Sequence, residues 1–481
     1  MNYKSIFNLL GILLGIFSVS FVPPLILTFV YGESGGGVFL YSFLLLFLLG
    51  LVMWASTRQK DLPLNISDGF IITTMFWVVL ACAGSIPFYF YLGLNPGDAI
   101  FESVSGITTT GATTIVGLDE MPKSILLYRQ LLQWIGGMGL IVLAVAVMPA
   151  LGIGGSQLYK MELPGSHGNQ KLTPKITDSA KALWKIYVGL TVMCAILYIL
   201  SGMPFFDAIA HSLSTVAGGG FSTHDESIGF FNNGFIEAVC IIFMLLSAAS
   251  FAVHYAAIFG GKPLKYFYDS EFRFFLSVVL LIIVVSMIVH YVSNSYADIL
   301  SAVSSTIFHT VSIVTTSGFT TENFSLWPGF LPYLLLVGAF MGACSQSVGG
   351  GIKAWRVLIM ISQAYKEILK TIHPNAILTS KIGTRVIDAK IAEKVWGFFS
   401  IYVFIFMFLL MGMLGTGLSF ESAFSAVGAC LNNLGPGLGD VADNYTNVTK
   451  VGKIILCFAM ILGRLEIFTL LVLFTPAFWR R

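Results

Sequence analysis

Long apolar stretches alternate with short polar segments along most of this chain of 481 residues. Stretches of about 20 apolar residues can cross a bilayer core of about 30 Å as α-helices. The pattern predicts two leading helices followed by four units, each made of a helix, a re-entrant segment and a second helix. The helices are predicted near 5–30, 38–56, 69–93, 124–150, 181–202, 231–259, 272–293, 329–370, 394–417 and 450–475. The re-entrant segments are predicted near 97–116, 205–224, 297–322 and 420–440.

This pattern predicts an all-α integral membrane protein. Four pseudo-symmetric units of helix, re-entrant pore loop and helix would surround one central pore, after two N-terminal transmembrane helices. The predicted regions are 1–60 for the two N-terminal helices, 61–165 for pore unit one, 166–265 for unit two, 266–385 for unit three and 386–481 for unit four.

The four re-entrant segments resemble one another in sequence. They read Phe101-Glu-Ser-Val-Ser-Gly-Ile-Thr-Thr-Thr-Gly111, Ala210-His-Ser-Leu-Ser-Thr-Val-Ala-Gly-Gly-Gly220, Phe308-His-Thr-Val-Ser-Ile-Val-Thr-Thr-Ser-Gly318 and Phe424-Ser-Ala-Val-Gly-Ala-Cys-Leu-Asn-Asn-Leu-Gly435. The last is the most divergent and aligns only with a shift of one residue. His211 and His309 occupy the position of Glu102, and we expect them to support the packing of these segments.

Such segments suit a cation pathway. Non-helical backbone survives in a membrane only where it lines a wet or protein-lined cavity, and glycine permits backbone angles that aim successive carbonyls at one axis. A short helix entering each segment would also point its negative C-terminal end at that axis. The alternative is that the glycines only allow close helix packing, as in Gly136-Gly-Met-Gly139. Fourfold repetition favours the cation pathway.

Composition and charge agree with a membrane protein. The chain is 56% hydrophobic and 10% charged, whereas soluble domains carry about 25% charged residues. Most of its 26 lysines and arginines fall on one side of the predicted spans, which the positive-inside rule assigns to the cytoplasm, with both termini. The re-entrant segments then open on the outer side, where acidic residues gather. The net charge of +2 gives no indication of nucleic acid binding.

Several motifs make the chain similar to the Trk/Ktr/HKT superfamily of potassium transporters. They are Thr108-Thr-Thr-Gly-Ala-Thr-Thr114, Gln133-Trp-Ile-Gly-Gly-Met-Gly139, Gly219-Gly-Phe-Ser-Thr-His-Asp225, Gly349-Gly-Gly-Ile-Lys353, Leu431-Asn-Asn-Leu-Gly-Pro-Gly-Leu-Gly439 and Gly463-Arg-Leu-Glu-Ile-Phe-Thr469. The resemblance covers essentially the whole chain. It implies potassium uptake across the bacterial inner membrane, by a pore that one chain forms within a homodimer.

The resemblance also implies a selectivity filter. Its potassium ligands would lie at Thr109, Thr110, Gly111, Gly218, Gly219, Gly220, Thr316, Ser317, Gly318, Asn433, Leu434 and Gly435. Glycine at all four final positions resembles the potassium-selective members, whereas a serine at the first accompanies sodium transport in plant relatives. Potassium is the only metal ion implied, as the transported ion, and no transition-metal site is expected.

A gate below the filter is implied as well. The candidate intramembrane loop, 342–351, interrupts the second helix of unit three and departs from the family pattern at Gln346 and Val348. Its candidate residues are Gly342, Cys344, Ser345, Gln346, Ser347, Gly349, Gly350, Gly351 and Lys353, with Arg464 as an electrostatic barrier. Arg464 is placed inside the last apolar span, where a charge is costly and usually functional. The alternative for Arg464 is a salt bridge to Glu466 or another buried acid.

The expected partner is a cytoplasmic regulator of the RCK type, resembling TrkA. No nucleotide-binding motif is visible in the sequence, so we expect NAD or ATP only on that regulator and no organic cofactor in this chain. The basic linkers 157–185 and 353–394 are candidate docking surfaces, although topology signals explain them equally well. A sodium- or proton-coupled secondary transporter of another solute remains the alternative function. No catalytic constellation is recognised, so an enzyme is not expected.

Overall fold

A computed structural model describes residues 2–58, 65–151, 176–296, 298–376, 378–383 and 385–480. The predicted boundaries near 60 and 165, and most of the basic linker 157–185, lie outside the described residues.

The chain begins with two helical arms that form one hairpin, in agreement with the two predicted N-terminal helices. The first arm is α1 (Tyr3–Ser18), a 3₁₀ turn (Val19–Phe21) and α2 (Val22–Tyr31), and the second arm is α3 (Gly36–Ser56). Two glycines allow the arms to pack closely, because a Cβ atom on Gly11 would lie 2.7 Å from the carbonyl oxygen of Gly50. Small residues at such crossings are typical of helices that associate in a membrane.

The remaining helices form the four units. Units one and two contain α4 (Ile66–Gly84), α5 (Ile86–Phe90), α6 (Pro96–Ile107), α7 (Lys123–Leu151), α8 (Ile176–Leu200), α9 (Phe205–Ala217), α10 (Gly234–Ala248), α11 (Phe251–Ile258) and α12 (Lys265–Tyr268). Units three and four contain α13 (Ser270–Ser293), α14 (Ile299–Val314), α15 (Leu331–Met341), α16 (Ala354–Ile372), α17 (Ala389–Leu414), α18 (Phe420–Leu431), α19 (Lys450–Arg464), α20 (Phe468–Leu471) and α21 (Pro476–Trp479). A hairpin of two antiparallel strands, β1 (Lys381–Ile382) and β2 (Arg385–Val386), joins α16 to α17.

Lengths and burial identify a multi-pass membrane protein. Six helical spans of the described chain are long and apolar enough to cross a bilayer, and two bent helix pairs raise the number to as many as eight. Large apolar side chains such as Phe404, Phe408 and Leu280 lie exposed on the outside of the spans, where lipid would cover them. Polar side chains instead concentrate inside, on the short helices α6, α9, α14 and α18, which we call the pore helices.

The second helix of unit two was predicted to be continuous over 231–259, and this prediction is wrong. It breaks between α10 and α11, which meet at an angle of 102°. Ala249 is extended and Ser250 caps α11 through its hydroxyl. The side chain of His254 hydrogen-bonds the carbonyl oxygen of Leu246 (2.9 Å), one of those released by the break.

The last helix, predicted over 450–475, also breaks. It ends at Arg464, and the chain turns by 109° into the segment that begins at Phe468. Glu466 and Ile467 both have positive φ angles, 51° and 62°, which a helix cannot accommodate. Arg464 therefore lies at the end of a helix and not inside a continuous span.

Candidate ion-conduction pathway

The four pore helices begin with caps that their sequences supply. Side-chain oxygens of Asn95, Asp298 and Ser419 accept amide hydrogens in the first turns of α6, α14 and α18, whereas α9 follows Pro204. Such caps replace the hydrogen bonds that the first amides of a helix lack. Each pore helix ends three or four residues before the final glycine of its re-entrant segment, which is Gly111, Gly220, Gly318 or Gly435. The negative C-terminal end of the helix therefore points at these glycines.

The backbone around the four final glycines repeats one conformation. Gly111, Gly220, Gly318 and Gly435 have φ angles of 85°, 73°, 79° and 96°. The residues two positions earlier, Thr109, Gly218, Thr316 and Asn433, have φ angles of 57°, 65°, 61° and 52°. The residue between each pair has ordinary negative φ. Alternation of this kind turns successive carbonyls to the same side of the chain, as in a potassium selectivity filter.

The glycines close into a ring, which we call the glycine ring. A Cβ atom on Gly111 would overlap the carbonyl oxygen of Gly219. In the same way, a Cβ atom on Gly220 would overlap the carbonyl oxygen of Ser317, and a Cβ atom on Gly318 would overlap that of Leu434. A Cβ atom on Gly435 would lie 2.6 Å from the carbonyl oxygen of Thr110, which completes the circle. Each glycine thus faces the carbonyl that precedes the glycine of the next unit. The structure brings all twelve predicted filter residues together.

Equivalent side chains of the pore helices fix the segments that leave the ring. These side chains are Glu102, His211, His309 and Ser425. Their partners are the amide of Thr114 (3.0 Å), the hydroxyl of Ser222 (2.9 Å), the amide of Thr321 (3.3 Å) and the amide of Leu438 (2.8 Å). The expected supporting role of the two histidines thus has a physical basis. In unit four the partner lies one residue further along the chain than in units one and three, which matches the shift in its sequence.

Two backbone carbonyls of the ring segments accept hydrogen bonds from side chains. The side chain of Gln133 donates to the carbonyl oxygen of Gly219 and accepts the amide hydrogen of Phe221 (3.1 Å). The hydroxyl of Tyr445 donates to the carbonyl oxygen of Gly435 (2.7 Å). These bonds orient the carbonyls while leaving an oxygen lone pair for another contact.

The helix of unit three is interrupted between Met341 and Ala354, and we call residues 342–353 the interrupting loop. The loop lies against three units of the ring. The hydroxyl of Thr316 accepts the amide hydrogen of Gly350 (2.6 Å). A Cβ atom on Gly350 would overlap the carbonyl oxygen of Asn432, and one on Gly218 would lie 3.4 Å from Val348. No side chain larger than hydrogen fits at Gly350 without displacing the ring segment.

The other predicted gate residues shape the same loop. Positive φ angles occur at Gly342, Gln346, Gly351 and Lys353, so the loop turns sharply at both ends. Within the loop, the hydroxyl of Ser347 donates to the carbonyl of Cys344, and the Lys353 ammonium donates to the carbonyl of Gly349. Gly349 also packs against the end of a pore helix, because a Cβ atom there would lie 2.7 Å from the carbonyl oxygen of Thr315. Ser345 contacts α13 through its amide.

Arg464 reaches the same loop. Its guanidinium donates to the carbonyl oxygen of Val348 (2.9 Å) and to that of Gly136 in α7 (2.7 Å). Glu466 forms an ion pair with Arg356, not with Arg464. Among the described residues, Arg464 forms no salt bridge with any other acid either, so the alternative of a salt bridge to Glu466 or another buried acid is wrong. The described contacts of Arg464 are with backbone carbonyls and the face of Trp77.

Comparison with known proteins then identifies the family. A model of the family described as TrkH, cation transport protein, matches residues 35–481. The chain belongs to the TrkH family. It is 47% identical to a Trk system potassium uptake protein TrkH of Vibrio parahaemolyticus over 486 residues, covering 100% of both chains. It is also 40% identical to Trk system potassium uptake protein TrkG of Escherichia coli, covering 100% of this chain and 99% of that protein.

A solved structure shares the fold. The crystal structure of the potassium transporter TrkH from Vibrio parahaemolyticus matches with a TM-score of 0.92 at 45% identity, and the match covers 100% of both chains. The predicted fold class is confirmed. Within this fold, the interrupting loop lies against the glycine ring.

Long-range polar pairs that sequence reasoning missed join the units of this TrkH fold. Arg129 on α7 forms a buried ion pair with Glu102 (2.8 Å) and donates to the carbonyl oxygen of Ser222 (3.1 Å), which links units one and two. Lys453 on α19 pairs with Asp98 on α6 (2.6 Å), which links units four and one. Buried charges in spans usually find partners, but the sequence does not say which.

His224 connects units one and two outside the helices. Its ring contacts the carboxylate of Asp119 (2.5 Å), lies 3.7 Å from that of Asp207 and stacks on Phe230. Burial lowers the pKa of His224, but the two carboxylates outweigh burial and hold the pKa above its ordinary value of 6.5. Within the described ranges, no group of three or more His, Cys, Asp or Glu side chains is placed to hold a metal ion.

Proposed function

We propose that this protein takes up potassium through the glycine ring. The observation that carries the proposal is the closed circle in which each ring glycine faces the backbone carbonyl of the next unit. Carbonyl oxygens are neutral, hard ligands that replace the water around an alkali cation. The negative ends of four pore helices add a field that favours a cation at the centre. The relatives named as potassium uptake proteins support the choice of ion.

The interrupting loop is proposed to be the gate. It lies against the ring, holds the amide of Gly350 on Thr316 and consists largely of small residues that can change conformation. Arg464 adds a positive charge at the end of α19, bonded to the loop at Val348. A positive charge beside a narrow pathway raises the electrostatic energy of a passing cation. In this proposal, opening moves the loop and Arg464 together.

The setting proposed for this pathway is the bacterial inner membrane. The positive-inside rule supports cytoplasmic termini and an outward-facing ring. Of the basic segment 353–394, the side chains of Lys370, Lys381 and Lys390 are exposed, and they are proposed to dock a cytoplasmic RCK-type regulator that binds NAD or ATP. A homodimer is proposed from the resemblance to the wider superfamily.

Isotope flux into proteoliposomes that hold the purified chain tests the proposal. Uptake of potassium, rubidium, sodium and lithium is compared at equal concentration. The Gly350→Val variant is measured alongside, because its side chain would displace the ring segment. Potassium and rubidium should enter well ahead of sodium and lithium. Sodium entry at the potassium rate in the wild-type chain would contradict the proposed potassium filter.

A further inference from the structure

Glu271 lies at the start of α13, next to the interrupting loop. The cap of α13 is Asp269, whose carboxylate accepts the amide hydrogens of Glu271 (3.1 Å) and Phe272 (3.0 Å). The carboxylate of Glu271 is therefore not required to cap its own helix. It points instead at two amides of another part of the chain.

One oxygen of Glu271 accepts hydrogen bonds from both sides of the loop. Its Oε1 atom receives the amide hydrogen of Ser345, early in the loop, and that of Trp355 (3.1 Å), the second residue of α16. The first amides of a helix lack partners within the helix, and a negative charge beside them is favourable. Glu271 thus ties the beginning of the loop to the beginning of the helix that follows it.

The neighbouring anchors of this part of the loop are backbone bonds. The amide of Cys344 donates to the carbonyl of Ala248 (3.0 Å), and the amide of Phe251 donates to the carbonyl of Gln346 (3.0 Å). Both lie at the break between α10 and α11. They hold the loop to unit two.

A third backbone bond, from the amide of Ala354 to the carbonyl of Ala343 (3.0 Å), joins the loop to α16. Glu271 adds a side-chain link between Ser345 and α16, and a substitution can remove that link alone.

We propose that Glu271 is a positioning residue that holds the interrupting loop against the glycine ring. The inference rests on the proposed role of the loop as a gate. Displacing the loop separates Ser345 from Trp355, which breaks at least one of the two hydrogen bonds to Oε1 of Glu271. Leaving a buried amide without its acceptor is costly enough to shift a two-state equilibrium by about tenfold. Without Glu271, the displaced state should therefore be about tenfold more populated.

Cys344 provides a readout that does not depend on transport. Its side chain is fully buried in the loop, so a thiol reagent reaches it only when the loop moves. The test uses full-length protein in which Cys82, Cys194, Cys240, Cys430 and Cys457 are replaced by serine. The rate of labelling by a membrane-impermeant maleimide is measured beside rubidium flux in proteoliposomes.

Three variants of that protein separate the possible causes. Glu271→Ala removes the acceptor and should raise both the labelling rate and the basal rubidium flux by about tenfold. Glu271→Gln keeps an acceptor oxygen without the charge and should fall between Glu271→Ala and the parent. Asp269→Ala removes the cap of the same helix, has no described bond to the loop, and should label at the parent rate.

The outcomes distinguish this inference from the proposed gate. Unchanged labelling in Glu271→Ala would overturn the inference, and so would Asp269→Ala labelling as fast as Glu271→Ala. Faster labelling with unchanged flux would support the role of Glu271 and contradict the gate. If Glu271→Ala does not yield folded protein, Glu271→Gln carries the test, and labelling at the parent rate would then overturn the inference.

Discussion

Replacing Gly318 with alanine perturbs the glycine ring by a single methyl group. The new Cβ atom would overlap the carbonyl oxygen of Leu434 and lie 2.8 Å from Cδ of Pro436, whereas ordinary contact begins near 3.4 Å. Neither neighbour is the end of a flexible side chain. The ring must therefore widen by roughly half an ångström or more between units three and four.

The backbone adds a second cost. Gly318 has φ of 79°, and a residue with a Cβ atom pays about 1–2 kcal/mol in the left-handed region. Since about 1.4 kcal/mol corresponds to a factor of ten in an equilibrium constant, this strain favours a displaced geometry of the ring over the wild-type geometry by about tenfold. The displaced geometry should then dominate, and the preference of the ring for potassium over sodium should largely be lost, because that preference depends on the positions of the ligand carbonyls.

Competitive flux measures this loss. Proteoliposomes with wild-type or Gly318→Ala protein take up rubidium in the presence of increasing sodium, and the ratio of the two permeabilities is compared. Gly189→Ala is the matched control, because a Cβ atom at Gly189 has no neighbour within 4 Å among the described atoms and its φ is not positive. A wild-type ratio and rate in Gly318→Ala would refute the role of the ring.

Three further predictions concern the surroundings of the ring. Arg464→Ala should increase cation flux, measured in proteoliposomes, since it removes a positive charge and the bond to the interrupting loop. Glu102→Ala should lower the free energy of unfolding in detergent by about 3–5 kcal/mol, because it leaves the buried guanidinium of Arg129 without its carboxylate. His224 has a raised pKa in the folded protein, so its stabilising contribution is present below pH 6.5 and is lost as the pH rises through the raised value. The melting temperature should therefore fall as the pH rises above 6.5, and His224→Gln should remove this part of the pH dependence of the melting temperature.

Each of these predictions can fail in a definite way. Unchanged or slower flux in Arg464→Ala would count against the electrostatic barrier. An unfolding free energy within about 1 kcal/mol of wild type in Glu102→Ala would mean that Arg129 finds another partner. If His224→Gln and wild type lose stability equally as the pH rises above 6.5, groups other than His224 control that loss.

The ring could be predicted because its backbone requires particular residues. Positive φ favours glycine, so the backbone conformation at Gly111, Gly220, Gly318 and Gly435 is recognisable from four recurring glycines in the sequence. The interrupting loop is also recognisable, from three consecutive glycines. Two positions before the ring glycines, Thr109, Thr316 and Asn433 adopt positive φ without glycine, so this position leaves no common residue in the sequence. The fourth repeat diverges because the interval from Phe424 to Gly435 is one residue longer than the matching interval from Phe101 to Gly111.

The two helix breaks could not be predicted from local sequence. No proline or glycine separates Ala248 from Phe251, and Glu466 and Ile467 are not residues that end helices by propensity. Both breaks are stabilised by distant partners, since the carbonyl of Ala248 accepts a bond from the loop and Glu466 pairs with Arg356. Such contacts join positions about 100 residues apart, and apolar periodicity carries no information about them.

Locating a bound ion tests the central claim most directly. Crystals grown in rubidium or thallium would show the ion by its anomalous scattering. The account predicts a peak on the axis of the glycine ring, within bonding distance of the carbonyl oxygens of Thr110, Gly219, Ser317 and Leu434. Ion peaks only elsewhere in the pathway, with none at this ring, would contradict it.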